Sequence, residues 1–141
     1  MGAYEAREGF MPEQMRTNLI KIFSYNGREP EGCIESNGET VRFSNLMELL
    51  ILLEERQDAL NYPKRWMEDR SLKESGDSGL WQERLCDGCA EKPIAAFAVK
   101  ILFRQNASWQ GSVKWLDENT EACFRSALEL IRMIDGALSA K

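Results

Sequence analysis

Phe43-Ser44-Asn45-Leu46-Met47-Glu48-Leu49-Leu50 recurs near the C-terminus as Phe124-Arg125-Ser126-Ala127-Leu128-Glu129-Leu130-Ile131. In each copy a Phe precedes a polar cap residue, a Glu stands three positions after the cap, and an apolar run comes next. This is the order of a capping box: the cap side chain accepts a bond from the backbone N–H of the Glu, whose carboxylate reaches back over free amides. Each copy therefore predicts a helix, from Asn45 to about Gln57 and from Ser126 to about Leu138.

The stretches before the two caps repeat as well. In the first, Arg16 to Tyr25 alternates like a strand, with Ile20 and Ile22 on one face and Lys21 on the other. Glu31 to Ser36 makes a second strand, Asn37-Gly38 a hairpin turn, and Glu39 to Phe43 the return. In the second, Ile94 to Gln105 places Phe97, Val99, Ile101 and Phe103 on one face. Trp109 to Leu116 is the next strand, Asp117-Glu118-Asn119-Thr120 turns the chain, and Glu121 to Phe124 returns.

Superposing the two stretches puts Lys21 and Ile22 on Lys100 and Ile101, Gly32 on Gly111 and Ile34 on Val113. Once the longer second hairpin is allowed for, Glu48, Leu49, Leu53 and Glu54 fall on Glu129, Leu130, Ile134 and Asp135. Agreement of turn, cap and apolar face in one order predicts tandem duplicated βββα units related by a pseudo-twofold axis. The expected class is α+β: an antiparallel sheet, or two apposed sheets, with two main helices packed on one face. Residues 1–14 read as an N-terminal tail, 15–60 as the first unit, 61–92 as a linker or insertion and 93–141 as the second unit. Pro63 and Ser75-Gly76-Asp77-Ser78-Gly79 mark the linker, which has one short helix around Trp81 to Leu85.

The chain has 141 residues, 43% of them apolar and four of them Trp, enough for one ordinary core. Its 18 basic and 23 acidic residues leave a net charge of -5, which argues against general nucleic-acid binding. Met1 to Glu8 lacks an apolar core, and the apolar run from Pro93 to Phe103 is broken by Lys100, so no membrane association is expected. A cytoplasmic location is expected, with Cys33, Cys86, Cys89 and Cys123 as reduced thiols. Histidine is absent, which removes the usual general base and the commonest neutral metal ligand, and no enzyme is expected.

The two helices differ in their outer faces. The second carries Glu129, Arg132 and Asp135 as a polar stripe against Leu128, Ile131, Ile134 and Leu138. The first runs through Leu46, Met47 and Leu49 to Leu53 without such a stripe, with Ile51 where the second has Arg132. A helix apolar all round needs cover on two sides, either from the linker residues Tyr62, Trp66 and Leu72 or from another chain. A homodimer through Met47, Leu50 and Ile51 is the first choice.

Cys86-Asp87-Gly88-Cys89 has the spacing of a zinc knuckle, and strand parity sends Cys33 and Cys123 to the sheet face opposite Ile34 and Phe124, where they could complete a site. Trp109 and Trp115 share a strand face, flanked by Arg104, Asn106, Gln110 and Lys114. They make either a stacking platform for a nucleotide or sugar or, as the inward Val113 between them favours, part of the core.

Asn106-Ala107-Ser108-Trp109-Gln110-Gly111 resembles one half of the signature of PilZ domains, which bind cyclic dinucleotides on a small β-barrel. The other half, R-x-x-x-R, is missing, because Arg65, Arg70 and Arg84 are wrongly spaced. The local reading is a tight turn before a strand. Arg104 to Gly111, together with Phe124 to Leu130, is also similar to short uncharacterised proteins of anaerobic Gram-positive bacteria. That resemblance implies a bacterial family domain in the second unit and carries no activity. Three functions are therefore expected, in order: an interaction or adaptor module that self-associates, a small-ligand sensor and a zinc-stabilised domain.

Overall fold

The computed structural model of the protein describes residues 17–26, 29–60, 79–89, 91–105 and 108–140. The N-terminal tail, Tyr62, Trp66, Leu72 and Asn106 lie outside these residues.

The elements are β1 (Thr17–Asn26), β2 (Glu29–Ser36), β3 (Glu39–Phe43), α1 (Leu46–Leu60), α2 (Leu80–Arg84), β4 (Leu85–Cys86), β5 (Ala95–Gln105), β6 (Ser108–Trp115), β7 (Thr120–Phe124) and α3 (Ala127–Ser139). Among the described residues the strands form one seven-stranded sheet in the order β4-β3-β2-β1-β5-β6-β7. Every neighbouring pair is antiparallel, so the protein is α+β with a single sheet and not two apposed ones.

The two meanders share their ladders in detail. Ile22 lies opposite Gly32 and Ile20 opposite Ile34, as Ile101 lies opposite Gly111 and Val99 opposite Val113. A register shift comes at the same place in each, between Ile22 and Ser24 and between Ile101 and Phe103. Both glycines are there for the close approach of a neighbouring backbone: a Cβ at Gly32 would lie 1.9 Å from the carbonyl oxygen of Lys21, and one at Gly111 1.9 Å from that of Lys100. Where the meanders meet, Leu19 faces Ala98, and Thr17 opposite Lys100 is balanced by Lys21 opposite Ala96. Exchanging the halves maps this central register onto itself.

Alternation along the strands sends Ile20, Ile22, Ile34, Val41, Phe97, Val99, Ile101 and Val113 to one face, where Leu49, Leu52, Leu53, Leu130, Ile134 and Leu138 of the helices meet them in one core. Burying each such side chain contributes about 1.5–3 kcal/mol. Both caps form as the sequence predicts. Glu48 donates its N–H to Asn45 Oδ1 at 2.9 Å, and Glu129 to Ser126 Oγ at 3.1 Å. The Glu carboxylates reach one residue beyond the cap, accepting from Ser44 and Arg125 N–H, each at 2.8 Å.

The segment read as a linker adds a helix and a seventh strand. The Trp81 N–H donates to Glu55 at 2.7 Å and its indole to Glu39 at 2.9 Å, while the Arg56 guanidinium lies 4.3 Å over the ring. β4 then pairs Leu85 with Val41 and Cys86 with Thr40. Among the described residues no helix is long and apolar enough to cross a membrane.

Candidate functional site

Two of the strand-end residues that the sequence gathers as a binding platform, Arg104 and Trp109, are buried. β5 carries the register shift after Ile101, and an extra residue in a strand reverses the facing of the residues beyond it. Simple alternation would turn Arg104 outward with Phe103 inward. Instead Arg104 lies on the helix side, 3% exposed, donating to Asp58 at 2.8 Å with Glu54 4.0 Å away. Its register partner Trp109 is 8% exposed and donates its indole N–H to Glu54 at 3.0 Å. These two side chains join β5 and β6 to the C-terminal half of α1. Gln110, one position along, is half-buried.

Trp115 has a different setting. It is half-buried, its ring stacks on Phe97 with centroids 6.2 Å apart, and its N–H is held by Asp117 at 3.1 Å. Both indoles therefore lie on the helix-covered face, Trp109 within the core and Trp115 packed half-buried against it.

Sequence reasoning missed the counterpart of the Arg104 cluster. In the other half Tyr25, beyond the shift in β1, donates its hydroxyl to Asp135 of α3 and lies 3.2 Å from Ser139 Oγ. Tyr25 and Arg104 thus occupy matching strand positions and each grips the helix of the opposite half. The signal available was the match of Glu54 with Asp135, an acid at one helix position in both halves.

The cysteines divide into two places. Cys33 is fully buried on the face away from the helices, across the ladder from Arg42. Arg42 donates to Glu91 at 3.1 Å, approaches Cys89 Sγ at 3.5 Å and lies 5.5 Å over the Phe23 ring. Burial, reinforced by the adjoining Cys89 thiol and the Glu35 carboxylate, pushes Cys33 from the ordinary 9.0 up to about 12. Lys21 is raised by its 2.8 Å bond to Glu35. Cys123 stands on β7, four strands from β2 and so about 19 Å from Cys33 at normal strand spacing, too far to join a shared metal. Among the described residues no group of three or more Cys, Asp or Glu is arranged to hold a metal ion, and Cys86 and Cys89 do not gather one.

The remaining predicted surface is the outer side of α1. The sheet takes Leu49, Leu52 and Leu53, and α2 takes the flank bearing Glu48, through Arg84, and Glu55. Met47 stays 64% exposed, with Leu50 and Ile51 half-buried beside it at helical spacing. Comparison with known proteins finds no matching family model, curated protein or solved structure.

Proposed function

We propose that this protein is a non-enzymatic interaction module that pairs with a second copy of itself through the outer side of α1. The observation that carries this reading is the apolar stripe of Met47, 64% exposed, with Leu50 and Ile51 half-buried beside it, which the described residues of the sheet and α2 leave only partly covered. The matching helix of the second half bears an exposed Arg132 where α1 bears Ile51. A twofold pairing sets the same stripe against itself, so one short run of residues supplies both sides of the contact. Shared register shifts and glycine approaches support descent of both halves from one βββα unit, with the halves diverging on this outer face.

Native mass by gentle electrospray tests the reading. The wild-type protein is expected at twice the chain mass, and Ile51→Glu at the monomer mass, because a carboxylate at the centre of the stripe is desolvated without a partner. A wild-type monomer, or a dimer that survives Ile51→Glu, overturns it.

A further inference from the structure

The two halves offer one position twice, and the described residues fill it once. In the first half the space beside α1 and above β3 holds the Arg56 guanidinium, which donates to Ser36 O at 2.7 Å, and the Trp81 ring, 7% exposed. β4 then lies along the β3 edge at Thr40 and Val41, and Val41 is fully buried.

In the second half Ala137 stands at the position of Arg56, Met133 at that of Leu52 and Ala122 at that of Val41. A cavity of about 130 Å3 remains there, bounded by Phe97, Val113, Trp115, Ala122, Met133 and Ala137, with Thr120 and Glu121 of β7 along its edge. Such a volume suits one aromatic ring. β7 is the outermost strand among the described residues, and Thr120, Glu121, Ala122 and Cys123 are all exposed. An uncovered edge strand presents unpaired backbone groups to an incoming strand.

We propose that the β7 edge and this cavity dock a segment of a partner protein, as Leu80–Cys86 docks on the first half. The segment places an aromatic side chain in the cavity and adds a short antiparallel strand at Glu121 and Ala122, the counterparts of Thr40 and Val41. A lysine or arginine beside the aromatic meets the exposed Glu121 carboxylate from the edge side, opposite its register partner Lys114 on β6. A second copy fits less well. Its Trp81 is already held by Glu39, and twofold pairing of two β7 edges around Ala122 brings Glu121 of each strand close together. The surface is separate from the α1 stripe, so its test does not depend on dimerisation.

The probe is a synthetic peptide repeating residues 79–87 with Glu83→Lys, titrated into the isotope-labelled full chain. Saturable amide shifts are expected along Thr120–Phe124 and at Met133 to Ala137, and to persist in Ile51→Glu. Ala137→Met, which fills the cavity, weakens binding by about tenfold or more, as does replacing the peptide's Trp by Ala. Glu121→Lys, which leaves the core untouched, also weakens it and covers the case in which Ala137→Met disturbs folding. Shifts confined to α1, affinity unchanged in both variants, or no saturable shift up to about 1 mM peptide overturn the proposal. So does a native dimer that Glu121→Lys dissociates, since the edge then belongs to a second copy.

Discussion

The first half of the sheet is finished by chain that has no counterpart in the second among the described residues. Beyond β3 lie α2 and β4, and Trp81 is sealed between Arg56 and Glu39. Beyond β7 the edge is exposed, and the half-buried Trp115 stacks on Phe97 beside a cavity. The inner frame has the opposite character, since registers, glycine approaches and caps agree between the halves. Backbone ladders tolerate little change because a slip reverses every side chain, whereas an outer layer built from unrelated chain is free to diverge.

The largest effect tests the shared frame. Gly32→Ala and Gly111→Ala each force a Cβ to within 1.9 Å of a backbone oxygen that cannot rotate away. Each is expected to cost about 4 kcal/mol in urea denaturation, and to a similar degree. Tolerance at one site alone breaks the likeness of the halves.

Trp81→Ala sharpens the difference between them. It empties the first-half position and is expected to cost about 3 kcal/mol, with Trp115→Ala costing about half as much because its ring is already partly solvated. A larger loss from Trp115→Ala would mean that the second half is sealed by its own indole.

The crossed grips come next. Arg104→Met leaves Glu54 and Asp58, 28% and 47% exposed, free to hydrate, and is expected to cost about 2 kcal/mol; Tyr25→Phe loses a neutral donor and costs about 1 kcal/mol. A double-mutant cycle of Arg104 with Asp58 that shows no coupling removes the first of these grips. Asn45→Ala and Ser126→Ala should each cost about 1 kcal/mol, and unequal losses would show that one helix depends less on its cap.

The last effect, a change of stability with pH, lies on the far face, is absent near neutral pH, and only the first half has it. The Cys33 thiol stays protonated when folded to about pH 12 and ionises from an ordinary 9.0 when unfolded, so its contribution is whole below pH 9 and is lost as pH rises through 12. The urea midpoint should fall above pH 9, and less steeply in Cys33→Ala. An identical alkaline slope in the two proteins would show that Cys33 ionises as readily folded as unfolded.

Strand and helix order is legible in the sequence because each element carries its own local signal. Asn37-Gly38 supplies the turn with both residues at positive φ, and Asn45 and Ser126 supply caps within three residues of their partners. The inward turn of Arg104 is not legible, because the register shift after Ile101 depends on where β6 pairs and alternation alone carries no trace of it. Nor is the role of the segment after α1, because Trp81 and Leu85 acquire meaning only beside Glu39, Glu55 and Val41, far away in the chain.

Local chemistry therefore determined the two meanders, the helices after them, their caps and the inward faces of the strands up to the register shifts, since each depends on residues a few positions apart. Tertiary structure alone decided that the two meanders join at Leu19 and Ala98 into one sheet, and that Tyr25 and Arg104 cross to opposite helices. It also decided that, among the described residues, β4 lies along one edge of the sheet and β7 is outermost at the other. Those outcomes depend on register and on contacts between distant segments, where many pairings share the same pattern of apolar and polar residues and only packing distinguishes them.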